Sequence, residues 1–597
     1  MKAHLQDLLR QALAALANDA LAGVPLPDEI AIERTRDGRN GDFASNLALQ
    51  LAKPAGQKPR ALAEAIVARL PASPQVAKVE IAGPGFINFF LAAGASQAVV
   101  GDILRQGEAY GRSRIGQGRK LLVEFVSANP TGPMHVGHGR GAAYGDSVAN
   151  LLAAIGYDVT REYYINDAGR QADILALSVW IRYLELCGET LPFPRRGYPG
   201  DYIRASAQTL KARHGDAFHH PASAVMHALP AEPVAPEEAS DAHKEALKAQ
   251  QEAHADALIS RMKQLLGPGY RQLQDHALAE QLAAIRATLD AFGVHFDRWS
   301  SERALVASGR AQQAIARLRA AGHVYEKDGA QWLRTTEFGD EKDRVLIKAD
   351  GSATYFCNDI AYHMDKLDRL GDVQAAQLLD VWGADHHGYI ARVRAALEAL
   401  TGRTDVLEVQ LIQFVTLSSG RMGKRSGNFV TFNDLVAEAG KDATRFFYLL
   451  RGNDQHLEFD IELARSKTNE NPVFYVQYAH ARICSVEKQL REKGFVYDET
   501  AARAALERLT EPHEQALLTR LARYPEVVQQ AAQQYAPHSL VHYLRDLAED
   551  FHSYYNAHQF LVDDAPLRNA RLALIWATRT VLRNALGLLG VSAPASM

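Results

Sequence analysis

The sequence predicts a multidomain α/β protein in which a parallel-sheet domain follows a small α+β domain and precedes an all-α domain. Residues 120–165 run in the order strand, loop, helix, strand, which is typical of a βαβ unit and implies parallel strands. Strand-like and helical segments then alternate as far as residue 417, whereas the pattern from Asn471 onward is helical. With 597 residues the chain is long enough for about four domains.

Changes in composition indicate the limits of these units. In the first unit the strand patterns VAKVEIAG and FINFFL surround a turn at Gly83, Pro84 and Gly85. Residues 214–256 are rich in Ala, Pro, Glu and His and predict a surface insertion, loop first and helix second. We expect VLIKAD (345–350) and LLDVWGADH (378–386) to continue the parallel sheet. The predicted units are an α+β domain over 1–110, a parallel-sheet domain over 111–420 with an insertion around 170–300, a basic loop and connecting segment over 421–470, and a helical domain over 471–597.

The composition excludes several classes of protein. Lysine and arginine number 66 against 70 acidic residues, so a uniformly basic protein that coats nucleic acid is excluded, although local basic surfaces are not. Cys187, Cys357 and Cys484 form no CxxC pair, which excludes a disulfide scaffold and predicts no structural zinc. There is no uncharged apolar stretch of about 18 residues, and charges interrupt the N-terminal helical pattern, so we expect a cytoplasmic protein without membrane association.

Two histidines flank a glycine where the first strand of the βαβ unit gives way to its helix. His135, Gly137 and His138 lie in the segment NPTGPMHVGHGR. Ligands of parallel sheets bind at the carboxyl ends of strands, where the free N–H groups of helix N-termini point outward. Histidines there can hydrogen-bond developing charge on phosphate, and the glycine lets a flat ring lie against the backbone. The pattern favours nucleotide binding; capping histidines and a metal pair remain open, although HxxH here lacks the nearby Glu of metalloproteases.

A strongly cationic loop follows the strand pattern VQLIQFVTL (409–417). Residues 418–428 contain three glycines together with Arg421, Lys424 and Arg425. A flexible cationic loop at a sheet edge can close over a polyphosphate and neutralise the charge of the transition state. A solvated basic loop is the alternative, and the histidine pair upstream favours the phosphate interpretation.

These segments resemble a known family over nearly the whole chain. HVGH looks like the HIGH motif of class I aminoacyl-tRNA synthetases, and RMGKR looks like a degenerate KMSKS loop. The stretches GDFASNLALQLAK, AGPGFINFFL, EFVSANPTGPMHVGHGR, VWGADHHGYI, KDATR and NPVFYVQYAHAR resemble arginyl-tRNA synthetase in particular. The resemblance implies a Rossmann-like catalytic domain, an additional tRNA-binding domain before it and a DALR-type anticodon-binding domain after it.

The departures from the family pattern affect one assignment. Only Met422 and Lys424 remain of the KMSKS-like loop. Some members instead carry a lysine just before the HIGH motif, but that position is Gly132 in this chain. The resemblance therefore gives the phosphate-closing role to Lys424. Thr444, in place of the Leu of DALR, is a minor change.

The resemblance implies ATP-dependent ligation of L-arginine to tRNA(Arg) through an arginyl-adenylate, with release of AMP and pyrophosphate. It implies a monomer that uses ATP with Mg²⁺ and has no metal site of its own. The implied catalytic residues are His135, His138 and Lys424. The implied ATP contacts are His135, Gly137, His138, Asp385, His386, Met422 and Lys424. The implied arginine contacts are Glu124, Asn129, Tyr355, Asp359 and Asp385, and whether Asp385 or His386 meets arginine or ATP stays open.

The chemistry of a guanidinium agrees with the implied arginine site. A planar cation with five N–H donors needs carboxylates and planar acceptors. Tyr355 and Asp359 are four residues apart and share one face if their segment is helical. Glu124, at the end of a buried strand, must be paired, so the substrate arginine and a fixed protein arginine are its two candidate partners.

The tRNA surfaces are less sharply defined. Family resemblance places Phe43 and Asn46 at the tRNA elbow. Tyr478 and Tyr555 are candidate platforms on which anticodon bases stack, with burial in the core as the alternative. Four arginines of the last helix share one face and could meet phosphates or simply be solvated: Arg568, Arg571, Arg579 and Arg583.

Three other functions share some of these sequence features. A small-molecule nucleotidylyltransferase would share the HxGH sheet but would not need the helical domain from Asn471 onward. An RNA-binding protein with an inactive core is disfavoured by the intact His135, His138 and Lys424. A cysteinyl-tRNA synthetase would need a cysteine-rich zinc site, which the three scattered cysteines do not supply.

Overall fold

An antiparallel sheet with flanking helices opens the chain. The computed structural model describes residues 1–27, 30–35, 38–92, 94–95, 97–229, 232–233, 241–418 and 431–597. The first sheet has the strand order β1-β2-β4-β3. Residues 43–53 do not form one continuous helix: Phe43–Ser45 pairs with the fourth strand, and the helix begins at Leu47. The elements are α1 Lys2–Leu16, β1 Glu33–Arg34, β2 Phe43–Ser45, α2 Leu47–Ala52, α3 Pro59–Ala68, β3 Val76–Ala82, β4 Phe86–Leu91 and α4 Ala98–Gln106.

A five-stranded parallel sheet forms the centre of the protein, as the βαβ pattern predicts. Its strand order is β12-β11-β5-β6-β7. The chain proceeds from β5 to β6 and β7 on one side and later to β11 and β12 on the other. The strand order therefore reverses beside β5, the place where open parallel sheets bind ligands. The elements around this sheet are β5 Lys120–Glu124, α5 Val136–Ala154, β6 Asp158–Ile165, β7 Arg298–Ser301, β11 Gln377–Gly383, α14 Ile390–Thr401 and β12 Leu407–Ile412.

Two insertions interrupt the parallel sheet. The first is helical and has its own apolar core around Trp180, which is completely buried. The second contains a three-stranded antiparallel sheet, and the segment VLIKAD belongs to it, so our placement of VLIKAD in the parallel sheet is wrong. The elements are α6 Arg170–Leu186, α7 Asp201–His214, α8 Ala222–Val225, α9 Asp241–Leu266, α10 Gly269–Ala291, α11 Glu302–Ala307, α12 Arg310–Ala320, β8 Val324–Lys327, β9 Ala330–Leu333, β10 Arg344–Ile347 and α13 Tyr355–Leu370.

Residues from Asn471 to the end are helical, as predicted, and two short strands precede them. The segment VQLIQFVTL divides between β12 and a short strand that pairs with residues 457–459. No helix among the described residues combines the length and apolar character needed to cross a membrane. The elements are β13 Val415–Leu417, α15 Phe432–Ala439, α16 Lys441–Tyr448, β14 Leu457–Phe459, α17 Ile461–Arg465, α18 Pro472–Glu492, α19 Glu499–Ala504, α20 Pro512–Gln533, α21 Pro537–Ala557 and α22 Ala565–Leu588.

Buried Arg445 connects α5 to the helices around it. Its Nε donates to the carbonyl oxygen of Leu589 at 2.9 Å, its Nη1 donates to that of Phe292 at 3.2 Å, and its Nη2 pairs with Asp146 on α5. A charge-assisted hydrogen bond in a buried place is strong and directional. The guanidinium thereby holds α5 against both the end of the first insertion and the end of the last helix.

Close packing of α5 on the sheet gives a first prediction. An ideal Cβ on Gly145 would lie 2.3 Å from Cγ of Phe125. We therefore expect Gly145→Ala to lower the free energy of unfolding by about 1–3 kcal/mol. Gly141 is the matched control on the same helix, because no atom that the structure describes lies within 4 Å of its ideal Cβ. Gly141→Ala should be neutral or should stabilise by about 0.4–1 kcal/mol. Urea unfolding measures both, and equal effects would contradict the packing argument.

Candidate active site

The turn after β5 is strained and is held by hydrogen bonds. Val126 and Ser127 have φ values of +67° and +40°, which side chains with a Cβ rarely adopt. The Ser127 hydroxyl donates to Oε1 of Glu124 at 2.8 Å and accepts the backbone N–H of Tyr164 at 3.1 Å. Backbone strain of this kind persists where the surroundings over-determine it, and it concentrates at functional sites.

The two histidines cap the N-terminus of α5. Nδ1 of His135 accepts the backbone N–H of Gly137 at 3.1 Å, and Nδ1 of His138 accepts the backbone N–H of His135 at 3.2 Å. The rings stack with their centroids 3.5 Å apart. An Nδ1 that accepts a hydrogen bond carries no proton, so in the neutral ring the proton is on Nε2. Capping and phosphate binding are therefore compatible, because capping leaves two Nε2–H donors for a ligand.

Burial keeps both rings neutral. It lowers the pKa of His135, and burial together with the neighbouring His135 lowers the pKa of His138 to about 3. At neutral pH both Nδ1 atoms retain the lone pair that the cap needs. Gly137 is required for the ring stack, since an ideal Cβ there would lie 3.0 Å from Cε1 of His135. Gly132, where some family members have a lysine, faces Tyr202, whose hydroxyl would lie 2.7 Å from an added Cβ.

Three buried carboxylates form a row across adjacent strands below this turn. Glu124 of β5 pairs in register with Glu162 of β6 on one side and with Asp380 of β11 on the other. Glu162 and Asp380 are fully buried, and Glu124 is 7% exposed. Paired positions of neighbouring parallel strands lie side by side on one face. We call these three residues the acidic row. Buried carboxylates must be paired, and α13 supplies the partners.

Lys366 of α13 pairs with two members of the acidic row. Its ammonium lies 2.5 Å from Oε2 of Glu124 and 2.9 Å from Oδ1 of Asp380. Burial acts to lower the pKa of Lys366, but the carboxylates of Asp380, Glu124 and Glu162 outweigh it and raise the pKa. The sequence reasoning offered a fixed arginine as the protein partner of Glu124; the partner is a lysine.

Arg369 and His363, on the same face of α13, pair with the rest of the row. The guanidinium of Arg369 binds both oxygens of Glu162 at 2.8 Å. His363 Nδ1 lies 2.7 Å from the carbonyl oxygen of Asp359, and its Nε2 lies 2.8 Å from Oδ2 of Asp380. Although burial acts to raise the pKa of Asp380, Lys366 and His363 hold it at about 2. Both ring nitrogens of His363 therefore lie within hydrogen-bond distance of oxygen atoms, which fixes the orientation of the ring.

Tyr355 and Asp359 lie on the same helix, so the helical face that we expected for them exists. Tyr355 is the first residue of α13 and is 78% exposed. Asp359 is half-buried and accepts a hydrogen bond from the Tyr389 hydroxyl. Burial raises the pKa of the Asp359 carboxyl, against the opposing effects of Tyr389 and His363. No cation within hydrogen-bond distance pairs with Asp359 among the described residues.

Glu302 is a candidate that the sequence reasoning missed. It is 7% exposed, and its Oε2 accepts a hydrogen bond at 2.9 Å from the side-chain amide of Asn166. Burial, followed by the charges of Asp359 and Asp167, raises the pKa of Glu302 to about 7. No salt bridge compensates Glu302 in the described part of the chain. Asp359 and Glu302 thus leave negative charge beside the acidic row without a protein cation.

The other predicted site residues lie at the same edge of the sheet but make fewer contacts. Asn129 is exposed in the loop between β5 and α5. Asp385 and His386 follow β11, with side chains 65% and 62% exposed and 3.6 Å between His386 Nε2 and Asp385 Oδ2. Met422 and Lys424 lie outside the described residues. Thr431, at the downstream end of their loop, forms a β-bridge with His135.

Comparison with known proteins supports one family along the chain. The model of the arginyl tRNA synthetase N terminal domain matches residues 3–91, and the model of the class I (R) tRNA synthetase catalytic domain matches residues 99–185 and 270–457. The model of the DALR anticodon binding domain matches residues 476–597. A protein named arginine–tRNA ligase from Thioalkalivibrio sulfidiphilus is 54% identical over 602 residues, covering all of both chains.

The chain belongs to the arginine–tRNA ligase family. An arginine–tRNA ligase from Halorhodospira halophila is 53% identical, again over all of both chains. Among solved structures, an arginyl-tRNA synthetase from Thermus thermophilus has a TM-score of 0.71 at 25% identity and covers all of both chains. A putative arginyl-tRNA synthetase from Campylobacter jejuni has a TM-score of 0.70 at 31% identity, over 85% of this chain and all of that one.

One residue predicted to meet tRNA in this arginine–tRNA ligase family member is in the core. Phe43 is fully buried in the N-terminal apolar core, and the guanidinium of Arg34 lies 4.6 Å from its ring centroid. A direct contact of the Phe43 side chain with the tRNA elbow, which the family resemblance implied, is therefore wrong, because no face of the ring reaches solvent. Asn46 is half-buried just before α2, and its Oδ1 has no partner among the described residues.

Tyr478 and Tyr555 are brought together by an arginine. The guanidinium carbon of Arg482 lies 4.4 Å from the ring centroid of Tyr478 and 4.6 Å from that of Tyr555. Tyr478 also stacks on Phe474 at 5.8 Å. All four side chains are half-buried, so they form a partly accessible cationic and aromatic surface.

The arginine stripe of the last helix is mostly engaged inside the protein. Arg571 is 8% exposed and pairs with fully buried Glu514 at 2.9 Å, and Arg568 is 7% exposed. Arg579 pairs with Glu487. Burial of Arg568 and Arg571 removes half of the stripe from any phosphate contact, an outcome that neither a solvated face nor a binding stripe predicts.

Proposed function

We propose that this chain ligates L-arginine to tRNA(Arg) in two steps, each carried out at the carboxyl end of β5. In the first step the arginine carboxylate attacks the α-phosphorus of ATP, pyrophosphate leaves and arginyl-adenylate forms. In the second step a hydroxyl of the terminal ribose of tRNA attacks the acyl carbon, and AMP leaves. Two observations carry the proposal: the pair of Nε2–H donors at the start of α5, and the Asp359 and Glu302 carboxylates, for which the described residues supply no salt bridge.

The histidine pair accounts for the phosphate half of the site. Nε2–H groups of His135 and His138 donate to phosphate oxygens, and more strongly as negative charge grows on them in the transition state. The rings are fixed before ATP arrives, since the cap holds both Nδ1 atoms. Preorganised donors of this kind need no rearrangement during the reaction.

Magnesium belongs to ATP in this proposal and not to a protein site. Among the described residues no group of three or more His, Cys, Asp and Glu side chains is arranged to hold a metal ion. Mg²⁺ is commonly bound largely through substrate phosphates, with few protein ligands. Asp385 and His386, exposed after β11, are the protein groups that we place near the nucleotide or the arginine.

The uncompensated carboxylates account for the amino-acid half of the site. The carboxylates of the acidic row already have partners on α13, namely Lys366, Arg369 and His363. Asp359 and Glu302 remain, and a substrate that carries a guanidinium and an ammonium supplies the missing positive charge. We place Asp359 and Tyr355 at the guanidinium, with Glu124 and Asn129 beside them, and we add Glu302 to this set.

A pH dependence of arginine binding follows from Glu302. A carboxyl with a pKa of about 7 holds a proton at pH 6, and a bound cation favours loss of that proton. The KM for arginine should therefore fall about tenfold between pH 6 and pH 8, while that for ATP stays nearly constant. Steady-state aminoacylation at both pH values measures it. Glu302→Gln should flatten the arginine profile, and a profile unchanged by that substitution would remove Glu302 from the pocket.

Lys424 gives a prediction for the basic loop. Lys424→Ala should slow adenylate formation roughly 10- to 100-fold and weaken tRNA binding much less, because Gly132 provides no substitute lysine. Thr431 is the β-bridge partner of His135, and the backbone N–H of Phe432 donates to the carbonyl oxygen of Met134 at 2.9 Å, which places the downstream end of the loop next to the histidine pair. Single-turnover activation and tRNA affinity are measured on one preparation, with Arg425→Ala as the matched control. Unchanged activation with a collapse of tRNA affinity would make Lys424 a tRNA ligand.

Charging assays test the proposed activity directly. Each amino acid is supplied with ATP and total tRNA, and pyrophosphate release is followed with and without tRNA. We expect arginine alone to be charged. A nucleotidylyltransferase would release pyrophosphate with a small phosphorylated substrate and charge no tRNA, whereas a pure RNA-binding protein would release none.

Further features of the family stay predictions for this chain. These are a monomeric state, a cytoplasmic location, tRNA contacts through Asn46, Tyr478 and Tyr555, and domain limits near residues 110, 420 and 470. Analytical ultracentrifugation, cell fractionation and limited proteolysis test the first, second and last of these. The Arg482 contact with both tyrosines supports the anticodon assignment, because cationic and aromatic side chains together suit splayed bases.

A further inference from the structure

Lys366 links the two elements from which the arginine pocket is built. It is fully buried on α13, seven positions after Asp359 on the same helical face. Its ammonium reaches Glu124 at the end of β5 and Asp380 in β11. Lys366 therefore connects the Glu124 carboxylate directly to the helix that carries Asp359.

The contacts of Glu124 leave little freedom to its carboxylate. Oε2 accepts from Lys366 at 2.5 Å, and Oε1 accepts from Ser127 at 2.8 Å. Burial acts to raise the pKa of Glu124, and Lys366 opposes that rise. Lys366 thus favours the ionised carboxylate and also fixes its orientation. Ser127 belongs to the strained turn, so the same contacts reach the start of the loop before His135.

We propose that Lys366 is a positioning residue for arginine recognition, which acts by holding the Glu124 carboxylate in place against the helix that carries Asp359. This rests on the arginine pocket of the proposed function. Lys366 itself does not meet the substrate, because it is enclosed between Glu124, Asp380 and the ring of Tyr362, whose centroid lies 4.5 Å from the ammonium. The guanidinium and the ammonium of arginine need carboxylates at a defined separation. A positioning residue such as Lys366 maintains that separation.

A purely structural role for the ion pair is the competing explanation. Removing one partner of a buried pair lowers stability wherever the pair lies. Arg369 gives the matched comparison: it lies on the same helix and pairs with Glu162 of the acidic row, but it does not contact Glu124. A structural role predicts similar behaviour for Lys366→Met and Arg369→Met. A positioning role predicts a difference in arginine recognition.

The experiment measures KM for arginine, KM for ATP, kcat and melting temperature in full-length variants during aminoacylation. We expect Lys366→Met to raise the KM for arginine about tenfold or more and to leave the KM for ATP within about twofold, because Glu124 loses its orientation. Arg369→Met should lower the melting temperature while leaving the KM for arginine within about twofold. An unchanged KM for arginine in Lys366→Met, or equal rises for arginine and ATP, overturns the proposal.

A double variant keeps the test decisive if Lys366→Met does not fold. Glu124→Gln with Lys366→Met removes both charges of the Glu124 pair, and Asp380 keeps its contact with His363 at 2.8 Å, so the double variant leaves fewer unpaired charges than Lys366→Met. If Lys366 acts only through Glu124, the double variant has the same KM for arginine as Glu124→Gln; a further rise of more than about threefold overturns the proposal.

The KM for arginine of two variants distinguishes an incorrect assignment of the arginine pocket from an incorrect role for Lys366. If Glu124→Gln charges tRNA with an unchanged KM for arginine, Glu124 is not in the pocket, and the proposed role of Lys366 fails with it. If Glu124→Gln raises that KM but Lys366→Met does not, the pocket stands and only the positioning role is overturned.

Discussion

His138→Ala is expected to slow adenylate formation by about 2.7–4 kcal/mol of lost transition-state stabilisation, the cost of deleting one preorganised donor. The reason is the geometry of the cap: Nδ1 of His138 is occupied by the backbone N–H of His135, so Nε2–H is the donor left for a phosphate oxygen. Single-turnover formation of adenylate, with saturating ATP and arginine, measures the effect.

A second variant separates the phosphate role from the capping role. His138→Ala also removes the acceptor from a capping box at the start of α5. His138→Glu supplies an acceptor at the same capping position but no N–H donor, and it adds negative charge near the phosphates. We expect the melting temperature to recover toward that of the parent in His138→Glu while activation stays as slow as in His138→Ala. Near-normal activation in either variant would show that His138 is only a capping residue.

The parts of the site that lie close together in the chain could be predicted from the sequence. The two histidines lie three residues apart at the start of one helix, as its N-cap and in its first turn. The four-residue spacing of Tyr355 and Asp359 needs only a helix to become a shared face. The parallel sheet followed from the βαβ order for the same reason. Local spacing and chain order carry this information without any knowledge of which distant segments meet.

The parts that depend on strand register could not be predicted in this way. Glu162, Glu124 and Asp380 lie far apart in sequence and become neighbours only because three strands align at those positions. Glu302 became a candidate site residue because it is buried near other carboxylates. The spacing of residues in the sequence does not show that burial. A signal for the partners of the acidic row did exist: His363, Lys366 and Arg369 follow Asp359 at helical intervals on an otherwise buried face.

Two predictions, for Phe43 and for the segment VLIKAD, were wrong because each depended on how a strand is placed in the fold. Phe43 lies in a three-residue strand whose side chains alternate between the core and the surface, and the family resemblance does not show which side it faces. The segment VLIKAD has the composition of a central strand, but its partner is a hairpin in the second insertion. Apolar composition indicates a strand and does not indicate the sheet to which the strand belongs.

Asp359→Asn is expected to produce the largest change in amino-acid recognition. The substitution keeps the size of the side chain and removes its charge, so a bound guanidinium loses a partner, at a cost of about 3–5 kcal/mol by analogy with breaking a buried ion pair. The KM for arginine should rise strongly while the KM for ATP stays nearly constant. Aminoacylation kinetics at pH 8, where Glu302 is ionised, isolate the contribution of Asp359.

The negative charge of the arginine pocket also determines which arginine analogues the parent enzyme accepts. Citrulline is nearly isosteric with arginine but uncharged, so Asp359 and Glu302 would face each other without a cation, and the parent should reject it. Asp359→Asn should narrow the difference between arginine and citrulline, because it removes one of the charges that citrulline fails to compensate. If Asp359 only accepts the Tyr389 hydroxyl to hold α13 in place, the variant melts earlier with an unaltered KM for arginine and an unaltered preference over citrulline. Measured together, the two KM values, the citrulline rate and the melting temperature decide between recognition of the guanidinium and support of the helix.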